Sequence, residues 1–132
     1  MRFIDDTHNR LYTQILNKMK KQDCYHDQAA YLLALDRVCR EHIEDIFDFE
    51  KDLIIREALH KGWQTGTSLK TTRLLFNLWN SCVYDGEMYK DKQGYETELP
   101  SRHYGVDEIF ACGYAPYYWE AIKLRYPEYT EE

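Results

Sequence analysis

Residues 42–50 read His-Ile-Glu-Asp-Ile-Phe-Asp-Phe-Glu, the densest grouping of side chains able to ligate a metal or move a proton. His42 and Asp45 stand three residues apart, so on a helix they share a face. There they suit two ligands of one metal ion, or a base and the carboxylate that orients it. With Glu50 as a further oxygen donor, the set would serve a small metal-dependent hydrolase. A metal site also needs ligands from a second element, and the sequence identifies none. The neighbouring charges fall at i, i+4 spacing, Arg37 with Glu41, Arg40 with Glu44, Asp52 with Arg56. Such pairs make a solvated, salt-bridged face, the commoner use of these residue types. No metal or other cofactor is therefore expected, and no residue receives a catalytic role.

Other catalytic patterns are weaker. Gly62-Trp63-Gln64-Thr65-Gly66-Thr67-Ser68 has two glycines and no lysine before its hydroxyl pair, so it is no phosphate loop. Its backbone N–H groups could meet an anion at a helix start, but ordinary capping accounts for the same residues. Trp63 and Gln64 stay as candidate pocket residues beside His42 and Glu50. No Gly-x-Ser-x-Gly elbow occurs, and His60 and His103 are isolated. Cys24, Cys39, Cys82 and Cys112 form no Cys-x-x-Cys pair, and only one residue separates Cys24 from His26. Free thiols packed as small core residues are expected. Tyrosine is more telling: nine of the 12 lie between Tyr84 and Tyr129, together with Trp119. Both residue types give large, stiff, amphipathic contact area. Tyr114, Tyr117, Tyr118 and Trp119 are thus candidate partner contacts, although some must complete the core of the C-terminal half.

The elements that carry these residues follow from breakers and periodicity. All six glycines lie at or after Gly62 and all three prolines at or after Pro100, so the first 61 residues read as successive helices. A first helix from Asp6 or Thr7 to about Lys21 aligns Leu11, Ile15 and Met19. A second, from about Asp27 to Leu35, is apolar nearly all round and belongs in the centre. From Asp36 to Leu59 an apolar stripe (Cys39, Ile43, Ile46, Phe47, Leu53, Ile54) keeps helical spacing but would bury Glu50. If buried, Glu50 needs His42, Arg73 or the Trp63 indole as partner. We instead expect a break at Asp48 and a restart at Phe49, which leaves Glu50 in a first turn. Thr67 or Ser68 caps the next helix, which ends near Cys82. Short helices follow at about Gly105–Cys112 and Pro116–Tyr126. The expected fold is an all-α compact bundle of five or six helices in one domain, residues 1–132, with at most one short hairpin near residues 88–97.

His42 to Glu50, Gly62 to Ser68 and Phe76-Asn77-Leu78-Trp79-Asn80 together resemble a family of small uncharacterised proteins of Firmicutes, especially gut clostridia, often carried on prophages and conjugative elements. The resemblance runs from Phe3 to about Tyr126. It implies a bacterial cytoplasmic origin and a mobile-element setting, and it carries no assigned activity.

Composition limits the partners. The chain has 132 residues, 44% apolar and 30% charged, enough for one packed core. Seventeen basic against 23 acidic residues give a net charge of -6, with no basic cluster to displace counterions from duplex DNA. The longest apolar run, Ala29 to Leu35, falls far short of the roughly 20 residues that span a bilayer. Met1–Asp6 offers no apolar core for a signal peptide, so a cytoplasmic location is expected. The composite expectation is a non-enzymatic protein-binding module from a mobile element, with inhibition of a host defence system as one version. Its expected partner is another protein rather than duplex nucleic acid or membrane, with self-association into a homo-oligomer as a further option.

Overall fold

A computed structural model describes residues 1–130. Helix α1 (Asp6–Lys18) starts where Asp5, in extended backbone, accepts the His8 N–H at 2.7 Å. Helix α2 (Cys24–Leu35) starts in the same way on Asp23, which accepts the His26 N–H at 2.9 Å. From Gln28 to Leu35 every residue of α2 is buried, so α2 forms the centre against which α1 and the later helices Gly66–Asn80 and Ala115–Arg125 pack. Short helices α3 (Arg37–Arg40) and α4 (Ile43–Ile46) continue the chain, α3 being capped by Asp36.

After α4 the chain leaves helical geometry. Strands β1 (Phe47–Asp48) and β2 (Leu53–Ile54) pair antiparallel, Phe47 opposite Ile54 and Asp48 opposite Leu53. The Asp48 carboxylate accepts the Glu50 and Lys51 N–H groups at 3.0 and 2.9 Å, which fixes the turn. Asp52 closes it in the left-handed region (φ 59°). A 3-10 turn, Arg56–His60, leads towards α5 (Gly66–Asn80), which is capped by Thr65 in a reciprocal arrangement with Ser68. Ser81 ends α5 in the left-handed region.

Strands β3 (Tyr84–Lys90) and β4 (Glu96–Pro100) then form a longer antiparallel ribbon. Its loop is held by the Asp91 carboxylate, which accepts the N–H groups of Gln93 and Tyr95, both at 2.9 Å. Gly94 supplies the positive φ that the turn requires. Helices α6 (Val106–Ile109) and α7 (Ala115–Arg125) complete the chain, with Pro116 in the first turn of α7.

The protein is therefore a helix-rich mixed α/β domain, which corrects the all-α bundle expected above: two antiparallel two-stranded sheets accompany the seven helices among the described residues. The stripe from Cys39 to Ile54 does not continue as helix, and no helix restarts at Phe49. Continued helix would have placed the Glu50 carboxylate in the core, at a desolvation cost that no nearby partner offsets. The hairpin turns Glu50 to solvent, and alternation buries Phe47 while leaving Leu53 exposed. The second ribbon is real but wider than residues 88–97, since its pairing reaches back to Tyr84 and Pro100.

Candidate functional site

The loop that precedes α5 carries Trp63 against the short helix α4. The Trp63 indole lies flat on the His42 imidazole, centroids 4.2 Å apart and planes 4° from parallel. Its N–H donates to Asp45 Oδ2 at 2.9 Å, and His42 Nδ1 lies 3.7 Å from the same oxygen. His42, Asp45 and Trp63 thus form one half-buried cluster. Beside them is a cleft of about 430 Å³, whose lining includes Lys18, Arg40, Glu41, Glu44 and Phe49. Its charges are of mixed sign. Arg40 is already engaged, donating to Ala34 O at 2.5 Å and to Asp5 at 2.8 Å.

Glu50 does not join the cluster: it sits exposed in the β1–β2 turn. The partners considered for it are occupied elsewhere, the Trp63 indole by Asp45 and Arg73 by Asp85. Among the described residues, no three His, Cys, Asp or Glu side chains are placed to hold a metal ion. Gln64 braces the loop, its amide donating to Ala58 O and Thr72 Oγ1 and its oxygen accepting the Ser68 hydroxyl at 2.6 Å.

The aromatic candidates separate by depth. Tyr118 is fully buried, its hydroxyl 2.7 Å from Thr71 Oγ1 within a polar chain that reaches the buried Asp36 carboxylate. Burial pushes its phenol far above the ordinary range. Tyr114 and Tyr117 are half-buried, Tyr114 accepting the Arg37 N–H at 3.5 Å. Trp119 is 54% exposed and leans on Phe110 at 4.8 Å. The most uncovered aromatic pair lies elsewhere. On the β3–β4 ribbon, Tyr89 is 55% and Tyr95 73% exposed, with Met88 at 51%. Tyr89 stands opposite Thr97 in β4, and Tyr95 immediately precedes that strand at the ribbon's tip. The base of that ribbon is fastened by Asp85, which accepts both Arg73 nitrogens (3.1 and 3.2 Å) and the Ser101 hydroxyl (2.7 Å), and by Arg56 donating to Glu98 at 2.6 Å. Those bonds hold the Asp85 carboxyl below its usual range against the opposing effect of burial.

Two buried histidines receive no structural role from the sequence, His26 being considered there only for its spacing from Cys24. His8 donates from Nε2 to Tyr31 O at 2.9 Å and accepts the Ile4 N–H on Nδ1 at 3.1 Å, which fixes a neutral ring. His26, 3% exposed, faces Asp23 Oδ1 from Nδ1 and Asp52 Oδ1 from Nε2, both at 2.7 Å. An aspartate three residues before each histidine was the available signal, although it marks a helix cap as readily as an ion pair. All four cysteines are free thiols.

A helix-rich core, a tethered aromatic ribbon and a mixed-charge cleft together define a small mixed α/β fold. The chain belongs to DUF6075, a family of unknown function, which matches over residues 1–132. No curated protein and no solved structure matches it. No helix among the described residues is long and apolar enough to cross a membrane.

Proposed function

We propose that this protein is a non-enzymatic binding module that docks on another protein through the β3–β4 ribbon. The observation that carries this reading is the tethered ribbon itself, with Met88 opposite the anchored Glu98, and Tyr89 and Tyr95 farther out, all uncovered. A two-stranded ribbon has little stability of its own in water. Anchoring one and leaving its large side chains solvated makes sense where a partner covers them, because rigid tyrosines lose little entropy on contact.

Charge points to the partner's chemistry. Residues 84–132 hold 11 of the 23 acidic residues but only five of the 17 basic ones, so the molecule's whole net charge of -6 falls in this stretch. A basic protein surface is the complementary target, and the net negative charge would speed encounter with it. The resemblance to proteins of phages and conjugative elements supports a role among their accessory cargo. Occupation of the basic nucleic-acid channel of a host defence protein is the version that best uses this charge.

The test is affinity capture from a clostridial lysate with the native protein and the Tyr89→Ala/Tyr95→Ala double variant. A specific partner should be held by the native chain in a salt-sensitive manner. The variant should lose it by about tenfold or more while keeping its thermal midpoint. Equal retention by the variant, or self-association as the sole binding event, would overturn the reading.

A further inference from the structure

We propose that His26 is a proton-operated latch: as an imidazolium it ties the β1–β2 turn, through Asp52, to the N-terminus of α2, and loss of its proton frees that turn. The geometry is the warrant. Both ring nitrogens face carboxylate oxygens at 2.7 Å, and ionised carboxylates only accept hydrogen bonds. Both nitrogens must therefore donate, which only the doubly protonated ring does. A neutral ring would turn a lone pair towards one carboxylate at that distance.

The structure also determines which side lets go. Asp23 belongs to the same helix end as His26 and already accepts its backbone N–H, so the Nδ1–H contact survives in the neutral ring. Asp52 is 26 residues away in sequence and sits in left-handed backbone (φ 59°), a conformation uncommon for non-glycine residues although aspartate adopts it more readily than most. Once Nε2 presents a lone pair, attraction to Asp52 becomes repulsion and the turn is released. The Trp79 and Phe47 rings pack nearly perpendicular to the imidazole, with centroids 4.9 and 6.4 Å from its own.

The turn that would move carries Phe49, which lines the cleft beside His42 and Asp45, so the latch controls one wall of that cleft. The charged groups facing His26 are Asp23 and, more distantly, Asp27 from α2, and Asp52 from the turn; α5 and β1 contribute only the uncharged Trp79 and Phe47. Burial pulls the imidazolium down, but the two bonded carboxylates raise it more. Release therefore comes on the alkaline side of the ordinary imidazole value of 6.5. The latch's contribution is complete below that value and fades as pH rises through the folded-state one.

Nuclear magnetic resonance titration of the intact native chain tests this directly, combined with hydrogen exchange at the Ile55 N–H, which bonds Ile46 O at the base of the hairpin. His26 should titrate above the ordinary histidine range. Ile55 protection, corrected for the pH dependence of intrinsic exchange, should fall about tenfold or more across that same titration while helix α5 amides stay protected. In Asp52→Asn, which keeps a side chain tolerant of left-handed backbone, the His26 titration should move down and the protection step should vanish. A His26 that titrates at or below the ordinary value overturns the latch. So does Ile55 protection in the native chain that is indifferent to the titration.

Discussion

Replacing Trp63 by phenylalanine separates the two contacts that join the α5 loop to α4. The substitution removes the indole N–H, hence the 2.9 Å bond to Asp45, while a six-membered ring can still cover part of the His42 face. A hydrogen bond to a charged acceptor is worth about 1.5–3 kcal/mol when its loss strands that charge. The Asp45 side chain is 44% exposed and regains water, so the neutral-bond range of about 0.5–1.5 kcal/mol applies instead. The reduced stack forfeits a fraction of the ~0.5–1.5 kcal/mol that aromatic pairs supply. Together the loss should be about 1–2 kcal/mol, read as a lower urea midpoint at unchanged slope. A double-mutant cycle with Asp45→Ala isolates the bond and should return a coupling of about 0.5–1.5 kcal/mol. A coupling indistinguishable from zero would refute the bond as a tether. A loss above about 3 kcal/mol would refute the claim that Asp45 is rehydrated.

Tyr118→Phe deletes a fully buried hydroxyl from Thr71 and should cost about 1–2 kcal/mol, since Thr71 keeps Asp36 as an alternative acceptor; a neutral result in chemical denaturation would contradict the bond. His8 is held neutral, and burial, the dominant influence, lowers its pKa below 6.5. Its contribution to stability is therefore present above that value and declines as pH falls through it towards the folded-state one. Urea midpoints of the native chain should drop over that window and those of His8→Gln should drop less; parallel curves would remove His8 as the cause.

Much of the scaffold is legible because helical period and breakers agree. Helices α1, α2, α5 and α7 occupy the stretches that the apolar spacing and the glycines and prolines mark out. The stretch after α4 misleads for a physical reason. A carboxylate that accepts backbone N–H groups two and three residues ahead describes a helix N-cap and a tight turn alike, and Asp48 makes those bonds in the turn. The break was therefore legible, whereas the hairpin that follows depends on Phe47 and Ile54 finding each other and the core. Long-range pairs leave no local trace at all. Trp63 with Asp45, Arg73 with Asp85 and His26 with Asp52 join residues 18, 12 and 26 positions apart. Trp63 and Arg73 were candidates for Glu50 only because a buried Glu50 would have needed one of them.

The placement of polar groups bears on function more than their number. Catalysis needs an acid, base or nucleophile with a free valence turned towards a substrate. Several groups with suitable chemistry are committed inside the fold: Asp45 to Trp63, Asp85 to Arg73 and Ser101, His8 to the backbone, His26 to two carboxylates and Arg40 to Ala34 and Asp5. Each of these bonds stiffens the part of the fold in which it lies. The ribbon stands in the opposite condition. Its base is bonded on both strands, while its outer tyrosines and Met88 meet solvent. Ionisable groups bonded as fasteners and aromatic side chains left uncovered are the two observations on which the proposed binding role rests.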